Sequence, residues 1–184
     1  MISRVESVNI AVSGTLRARG REIATGIFKE PAAGRVRVGA LGLEGDVQVD
    51  KRYHGGPEQA LYAFSSEHAA FWQQTLPRED GYPRGFFGEN LTTSGFLEED
   101  VAVGDVYRMG TALVRVTKPR VPCFKIGLRA GSAGFVKTFL ASARIGFYLA
   151  VPQPGEIGAG DTIEQVERPA GAMRMSELIQ RLYF

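Results

Sequence analysis

The most reactive side chain in this sequence is a single thiol set among cations. Cys123, the one cysteine in 184 residues, stands in VTKPRVPCFKIG with Lys118, Arg120 and Lys125 close by in the chain. A thiolate, not a thiol, attacks electrophiles and binds soft metals, and neighbouring cations favour that charged form. Pro119 and Pro122 fix φ near about −65° and disfavour helix in the residue before each, which predicts a stiff, extended strand exit that holds the sulfur in place. A cysteine also serves as a small buried hydrophobe, and the residues alone leave both uses open. One cysteine cannot close an internal disulfide, which fits a reducing compartment.

Two further segments carry polar and flexible residues at unusual density. GLEGDVQVDKRYHGGPEQAL brings Gly42, Gly45, Gly55 and Gly56 together with Asp46, Gln48, Asp50, Lys51, Arg52 and His54. Glycines let backbone N–H groups approach a ligand or form an anion-binding nest, and they equally make plain tight turns. His54 is a candidate proton donor, ligand or structural hydrogen-bonding group. In GFFGENLTTSG, Gly88, Glu89 and Asn90 interrupt an apolar strand, with hydroxyls at Thr92 and Thr93. That stretch is a bulge or turn unless the fold brings it to the other two.

Several chemistries are excluded by what is missing. There is no GxxxxGK[ST] phosphate loop and no GxGxxG after a first strand, and AGSAG does not fit a GxSxG nucleophile elbow. Two histidines and one cysteine make no zinc framework. Asp46 and Asp50 have no spacing that marks them for acid–base work. The net charge is only +2, but no Asp or Glu occurs from Val106 to Gly155, where Arg108, Arg115, Lys118, Arg120, Lys125, Arg129, Lys137 and Arg144 supply eight cations. Such a block is either a solvated face answered by acids elsewhere in the fold or a positive field around Cys123 able to attract an anion.

The elements that must position these groups are mostly strands. Alternation and β-branched content predict them near RVESVNIAV, IATGIFK, RVRVG, ALYAFS, VAVGDVYRM, ALVRVTK, GFYLAV and TIEQVER, with a hairpin turning at Gly110 and Thr111. Short strands with close turns predict a mostly β fold, a closed or nearly closed β-barrel, with a few flanking helices. SSEHAAFWQQTL predicts a helix capped by Ser65 with Phe71, Trp72 and Leu76 on its core face and His68 at a partly buried rim; SAGFVKTFLAS, starting at Ser132, predicts another. MRMSELIQRLYF places Met175, Leu178, Ile179 and Leu182 on one stripe, a docking helix or the first helix of a longer module. With 44% hydrophobic and 23% charged residues the chain suits one compact domain, and no apolar run or signal-peptide pattern appears, so a cytoplasmic protein is expected.

Taken in order, GLEGDVQVDKRYHGG, GFFGENLTTSG with VAVGDVYRMGTALVRVTKPRVPCFKIG, and GFYLAVPQPGEIGAGDTIE resemble the MOSC domain family, named for the C-terminal domain of molybdenum cofactor sulfurases, in its free-standing bacterial YiiM-like group. The resemblance implies a barrel-like MOSC domain over residues 1–168 and a C-terminal helical segment over 169–184, the remnant or start of a three-helix extension. It implies a site for molybdenum held by a pterin dithiolene (molybdopterin), with Cys123 as the metal ligand and catalytic residue. Lys118, Arg120 and Lys125 are then candidates for the cofactor phosphate, and His54, Gly55, Gly56, Glu89, Asn90, Asp46 and Gln48 for the surrounding loops. The implied reaction is reduction of a small N-hydroxylated substrate with electrons from a separate partner protein. The rival is a sulfur carrier bearing a persulfide on Cys123, served by a separate sulfurase that would hold pyridoxal phosphate; a nucleic-acid-binding module ranks below both.

Overall fold

The computed structural model describes residues 2–11, 14–18, 20–49 and 55–184. Its centre is an eight-stranded mixed sheet. In chain order its strands are β1 (Arg4–Ile10), β4 (Glu30–Pro31), β7 (Leu61–Ser65), β8 (Leu91–Ser94), β9 (Val106–Met109), β10 (Ala112–Pro119), β11 (Phe147–Gln153) and β13 (Ile163–Glu167). They lie side by side as β13-β9-β10-β11-β7-β8-β1-β4, antiparallel except for the parallel pair β7–β8. A separate three-stranded sheet joins β5 (Arg35–Gly39), β6 (Gly42–Leu43) and β12 (Gly155–Gly158), and β2 (Gly14–Ala18) with β3 (Arg21–Thr25) forms a hairpin apart from both.

The alternation that marks strands in the sequence is realised in burial. Val114 and Val116 of β10 are fully buried while Leu113 and Arg115 are only half-buried, the period-two signature of a strand with one face on the core. β9 and β10 meet in register at Met109 and Ala112, with Gly110 at φ 57° in the turn between them. β7 and the first half of β11 are buried throughout, because both faces of these central strands are covered.

The expectation of a barrel is corrected: the described strands do not close into one. At the seam β1 divides its outer edge. Its start meets the segment before β13 through one bridge, Arg4 with Thr162, supported by bonds from Val5 N to Asp161 O (2.9 Å) and Ile163 N to Ser3 O (2.9 Å). Its end pairs with β4 through Asn9 and Ile10. A strand that serves two neighbours for two or three residues each cannot carry a continuous closing ladder.

The helices α1 (His68–Thr75), α2 (Phe124–Ala130), α3 (Phe135–Ala141) and α4 (Met175–Tyr183) lie around the sheet. Trp72 of α1 and Phe135 and Phe139 of α3 stack with Phe64 and Phe87 in an aromatic cluster. Three local expectations change. Ser65 ends β7 instead of capping α1, and its hydroxyl donates to Glu67. His68 is buried, not at a rim, with Nε2 2.8 Å from Glu98 Oε2. The region after Pro119 is extended only as far as Cys123 and then becomes α2, since Pro122 restricts Val121 but not the residues after it. α4 docks on the domain: Met175 and Ile179 are buried, and the N–H groups of Met175 and Ser176 donate to Val101 O and Glu98 O at 2.9 Å each. No helix is long and apolar enough to cross a membrane among the described residues.

Candidate functional site

β10 aims the thiol. Its last residue, Pro119, lies opposite Phe147 of β11, and the next N–H, that of Arg120, donates to Gly146 O at 3.1 Å, so the chain stays pinned to the sheet until it turns. Cys123 follows in extended conformation (φ −112°, ψ 166°) immediately before α2. Its half-buried side chain lines a cavity of about 110 Å³. Arg120, Lys125, Tyr62 and Tyr148 share that wall, and residues 25–27, Lys29, residues 46–49, Gly88 and Asn90 contribute to the others.

Arg120 is the unusual member. It is only 6% exposed, with its guanidinium carbon 4.6 Å from the centre of the Tyr62 ring and 5.6 Å from that of Phe139. Burial alone would make the guanidinium easier to deprotonate, but the Tyr62, Tyr148 and Cys123 side chains outweigh it and push its pKa up, so it stays charged. Its Nη1 is buried and has no hydrogen-bond partner among the described residues. A buried charged donor left without an acceptor costs about 1–3 kcal/mol or more. Burial also raises the pKa of the Tyr62 and Tyr148 phenols and keeps both neutral; Tyr62 Oη donates to Ile145 O at 2.8 Å.

The opposite wall is a satisfied polar cluster. Lys29 and Asp46, both buried in their side chains, pair at 2.5 and 2.6 Å. Asp46 also accepts from Ala11 N (2.9 Å) and Asn90 Nδ2 (2.8 Å). Asn90 in turn accepts from Tyr62 N (3.2 Å), which ties the Asp46 loop to β7. Burial lowers the Lys29 pKa against the opposing pull of Asp46. Behind this wall Glu89 is buried, with Oε1 accepting from Gly85 N (2.5 Å) and Thr92 Oγ1 (2.8 Å); burial pushes its carboxyl pKa up. Gly26 and Gly55 let the backbone come close: a Cβ at Gly26 would lie 2.1 Å from Val47 O, and one at Gly55 (φ 94°) 1.9 Å from Gln48 Oε1.

Of the residues singled out in the sequence, the structure gathers Cys123, Arg120, Lys125, Asp46, Gln48, Gly55 and Asn90 around one cavity. Gly56 lines a neighbouring groove of about 820 Å³ that shares Asp46 and Gln48 with it. Glu89 supports the wall from behind, Lys118 is exposed and does not line the cavity, and His54 lies outside the described residues. Asp46 has its acceptors taken by Lys29, Asn90 and a backbone N–H, which makes it a clamp. The block of eight cations is mostly dispersed: Arg115 pairs with Glu58 (2.9 Å), Arg108 sits opposite Glu164 across β9 and β13, and Arg144 covers Phe71. Lys29, Tyr62 and Tyr148 were not foreseen. Lys29 follows an apolar run and looks like a strand-end surface residue; Tyr62 and Tyr148 alternate like core positions, and only the fold turns them toward Cys123.

A family model described as "MOSC domain" matches residues 50–164. The chain belongs to the MOSC domain family. It is 38% identical over 164 residues to YflK of Bacillus subtilis strain 168, covering 89% of this chain and 73% of that protein. It is 37% identical over 154 residues to a protein named Reductase from Gibberella moniliformis strain M3125, covering 83% of this chain but 27% of that longer one. Among solved structures, YiiM from Geobacillus stearothermophilus superposes with a TM-score of 0.82 at 32% identity, over 98% of this chain and 84% of that one. MOSC domains are generally associated with molybdenum cofactor, and the residues at the cavity fit such a group. A thiolate is a suitable donor for a metal already held by sulfur. Arg120 Nη1, without a partner among the described residues, and Lys125 at the same cavity offer charged donors to an anionic group.

Proposed function

We propose that this MOSC domain binds molybdenum cofactor at the Cys123 cavity and reduces small N-hydroxylated compounds, with electrons supplied by a separate protein. The observation that carries the proposal is the pairing of a half-buried thiol with a buried guanidinium nitrogen that has no acceptor among the described residues, both on one cavity wall. The match to a relative named Reductase supports the redox class.

When bound, the cofactor would supply two-electron redox chemistry suited to removing the oxygen of an N–OH group as water, with two electrons and two protons consumed. The rest is done by this chain. Cys123 would hold the metal through sulfur, and the rigid exit from β10 fixes where that sulfur lies. Arg120, which stays charged despite its burial, and Lys125 would hold anionic oxygen. Lys29, Asp46 and Asn90 would keep the facing wall closed to bulk water by occupying one another's hydrogen-bonding groups.

The deciding experiment is metal analysis of protein made in a host that synthesises the cofactor, alongside Cys123→Ser. Wild type should carry close to stoichiometric molybdenum and reduce an N-hydroxylated amidine with a chemical electron donor; Cys123→Ser should lose at least tenfold of both. A metal-free wild type that releases sulfane sulfur from Cys123 would sink the reductase proposal in favour of the sulfur carrier.

A further inference from the structure

Next to the thiol, on the other side of α2, lies a second concavity that the cofactor cavity does not use. It is a groove of about 1280 Å³ between the β2–β3 hairpin and helices α2 and α3. Its floor is apolar, with Ile23 from the hairpin, Phe124 and Leu128 from α2, and Val136 from α3. Phe124 is 55% exposed. Exposed aromatic and aliphatic side chains at a groove mark an interaction site more often than chance surface. The rim carries two cations, Arg17 and Arg21, from the hairpin. Glu22 is the one acid among the described residues that line the groove, and Arg17 already pairs with it at 3.3 Å, which leaves Arg21 unanswered there. The charge left over is therefore positive.

Position gives the groove its meaning. Phe124 follows Cys123 directly, so the two Cα atoms are about 3.8 Å apart. Cys123 faces the cavity and Phe124 the groove, which makes this stretch of chain the shared wall of both. A carrier seated in the groove would bring its redox centre against that wall without entering the substrate's cavity.

We infer that this groove is the docking surface for an acidic electron-carrier protein, whose carboxylates meet Arg17 and Arg21 while its apolar centre covers Phe124 and Leu128. The inference rests on the reductase function proposed above and names the partner's chemistry and its place. The balance is R₂N–OH + 2e⁻ + 2H⁺ → R₂NH + H₂O, with the docked carrier oxidised by two electrons per turnover. Opposite potentials steer encounter and fix orientation, while the apolar centre supplies contact.

The test uses the molybdenum-loaded protein and an N-hydroxylated aromatic amidine, driven in parallel by reduced methyl viologen and by two acidic carriers, reduced flavodoxin and reduced plant-type ferredoxin. In the double variant Arg17→Glu/Arg21→Glu, carrier-driven kcat/KM should fall at least tenfold while viologen-driven turnover stays within twofold of wild type. Wild-type turnover with a carrier should weaken as salt rises from about 0.02 to about 0.3 M, because exposed charges are screened. Unchanged carrier kinetics in the double variant, or no turnover with either carrier while viologen works, overturns the docking surface and leaves the reductase reading standing. No viologen-driven turnover in wild type takes down both. Charge-dependent binding of a single-stranded DNA oligonucleotide at this groove, with no effect of the variant on carrier kinetics, would reassign the face to nucleic acid.

Discussion

Two arginines of this chain are held in opposite ways. Arg168 follows β13, and its Nε and Nη2 donate to Asp105 at 2.8 and 2.6 Å while Nη2 also reaches Asp100 O at 2.8 Å. Asp105 answers with further bonds from Ala102 N (2.8 Å) and Tyr107 Oη (2.9 Å). Arg120, at the cavity, is the more deeply buried of the two, yet its Nη1 has no acceptor among the described residues and no carboxylate bonds it. One arginine completes the fold. The other carries a cost in the fold that an anionic ligand would remove, and the contrast separates a structural charge from a binding one without reference to any relative.

The largest effect should come from breaking the satisfied side. Arg168→Met leaves the buried Asp105 without its charged partner, although Ala102 N–H and Tyr107 Oη still donate to it. Because Arg168 itself is solvent-exposed, the loss is about 1–3 kcal/mol, which for a chain of this size lowers Tm by roughly 2–12 °C; calorimetry of the apo protein checks it. Arg120→Met should do the reverse. Removing a buried charge that lacks a full set of partners should leave the apo Tm unchanged or slightly raised, while affinity for the cofactor falls by about 10–100-fold, the worth of one charge-assisted hydrogen bond. Equal losses of apo stability in the two variants would erase the distinction.

Acid titration sharpens the same contrast. Burial pushes the Asp105 carboxyl pKa up, but hydrogen bonds from Arg168, Ala102 N–H and Tyr107, with the Arg168 charge, outweigh it and hold the pKa below the ordinary aspartate value. A carboxylate with a depressed folded-state pKa contributes stability that is fully present above its unfolded value and is lost as pH falls through the folded one. Urea unfolding across the window below 3.8, the ordinary value, should therefore show a steep loss in wild type and a shallower one in Asp105→Asn.

How much of this was legible beforehand follows from where the information resides. β10 writes its burial into a two-residue period, and β11 shows itself as a short continuous apolar run, FYLAV, between Gly146 and Pro152, so both announce themselves. The β9–β10 hairpin does so through Gly110. Closure of the sheet is not written locally: it depends on whether residues 3–5 reach residues 160–163 with enough length to pair, and the structure spends that strand on two neighbours. At the site, Cys123 stands out because it is unique and basic-flanked, and Asp46 and Asn90 because they sit in glycine-rich interruptions. Lys29, Tyr62 and Tyr148 join them only through contacts between residues far apart in sequence, as between Lys29 and Asp46 or between Tyr62 and Ile145 or Arg120. No spacing rule could have found those.

The smallest predicted effect tests the charge block itself. Sequence proximity treats Lys118 and Lys125 alike, since both flank Cys123, but β10 points Lys118 to solvent while Lys125 begins α2 at the cavity. Long-range attraction between exposed charges decays over about 8–10 Å at physiological salt. Lys118→Ala should then leave molybdenum content within error of wild type, whereas Lys125→Ala should lower cofactor affinity by a few-fold, a modest loss because its ammonium remains partly hydrated. If the two substitutions reduce metal content equally, the whole basic stretch acts as a diffuse field, and the weight placed on the individual geometry of Arg120 and Lys125 moves to net charge instead.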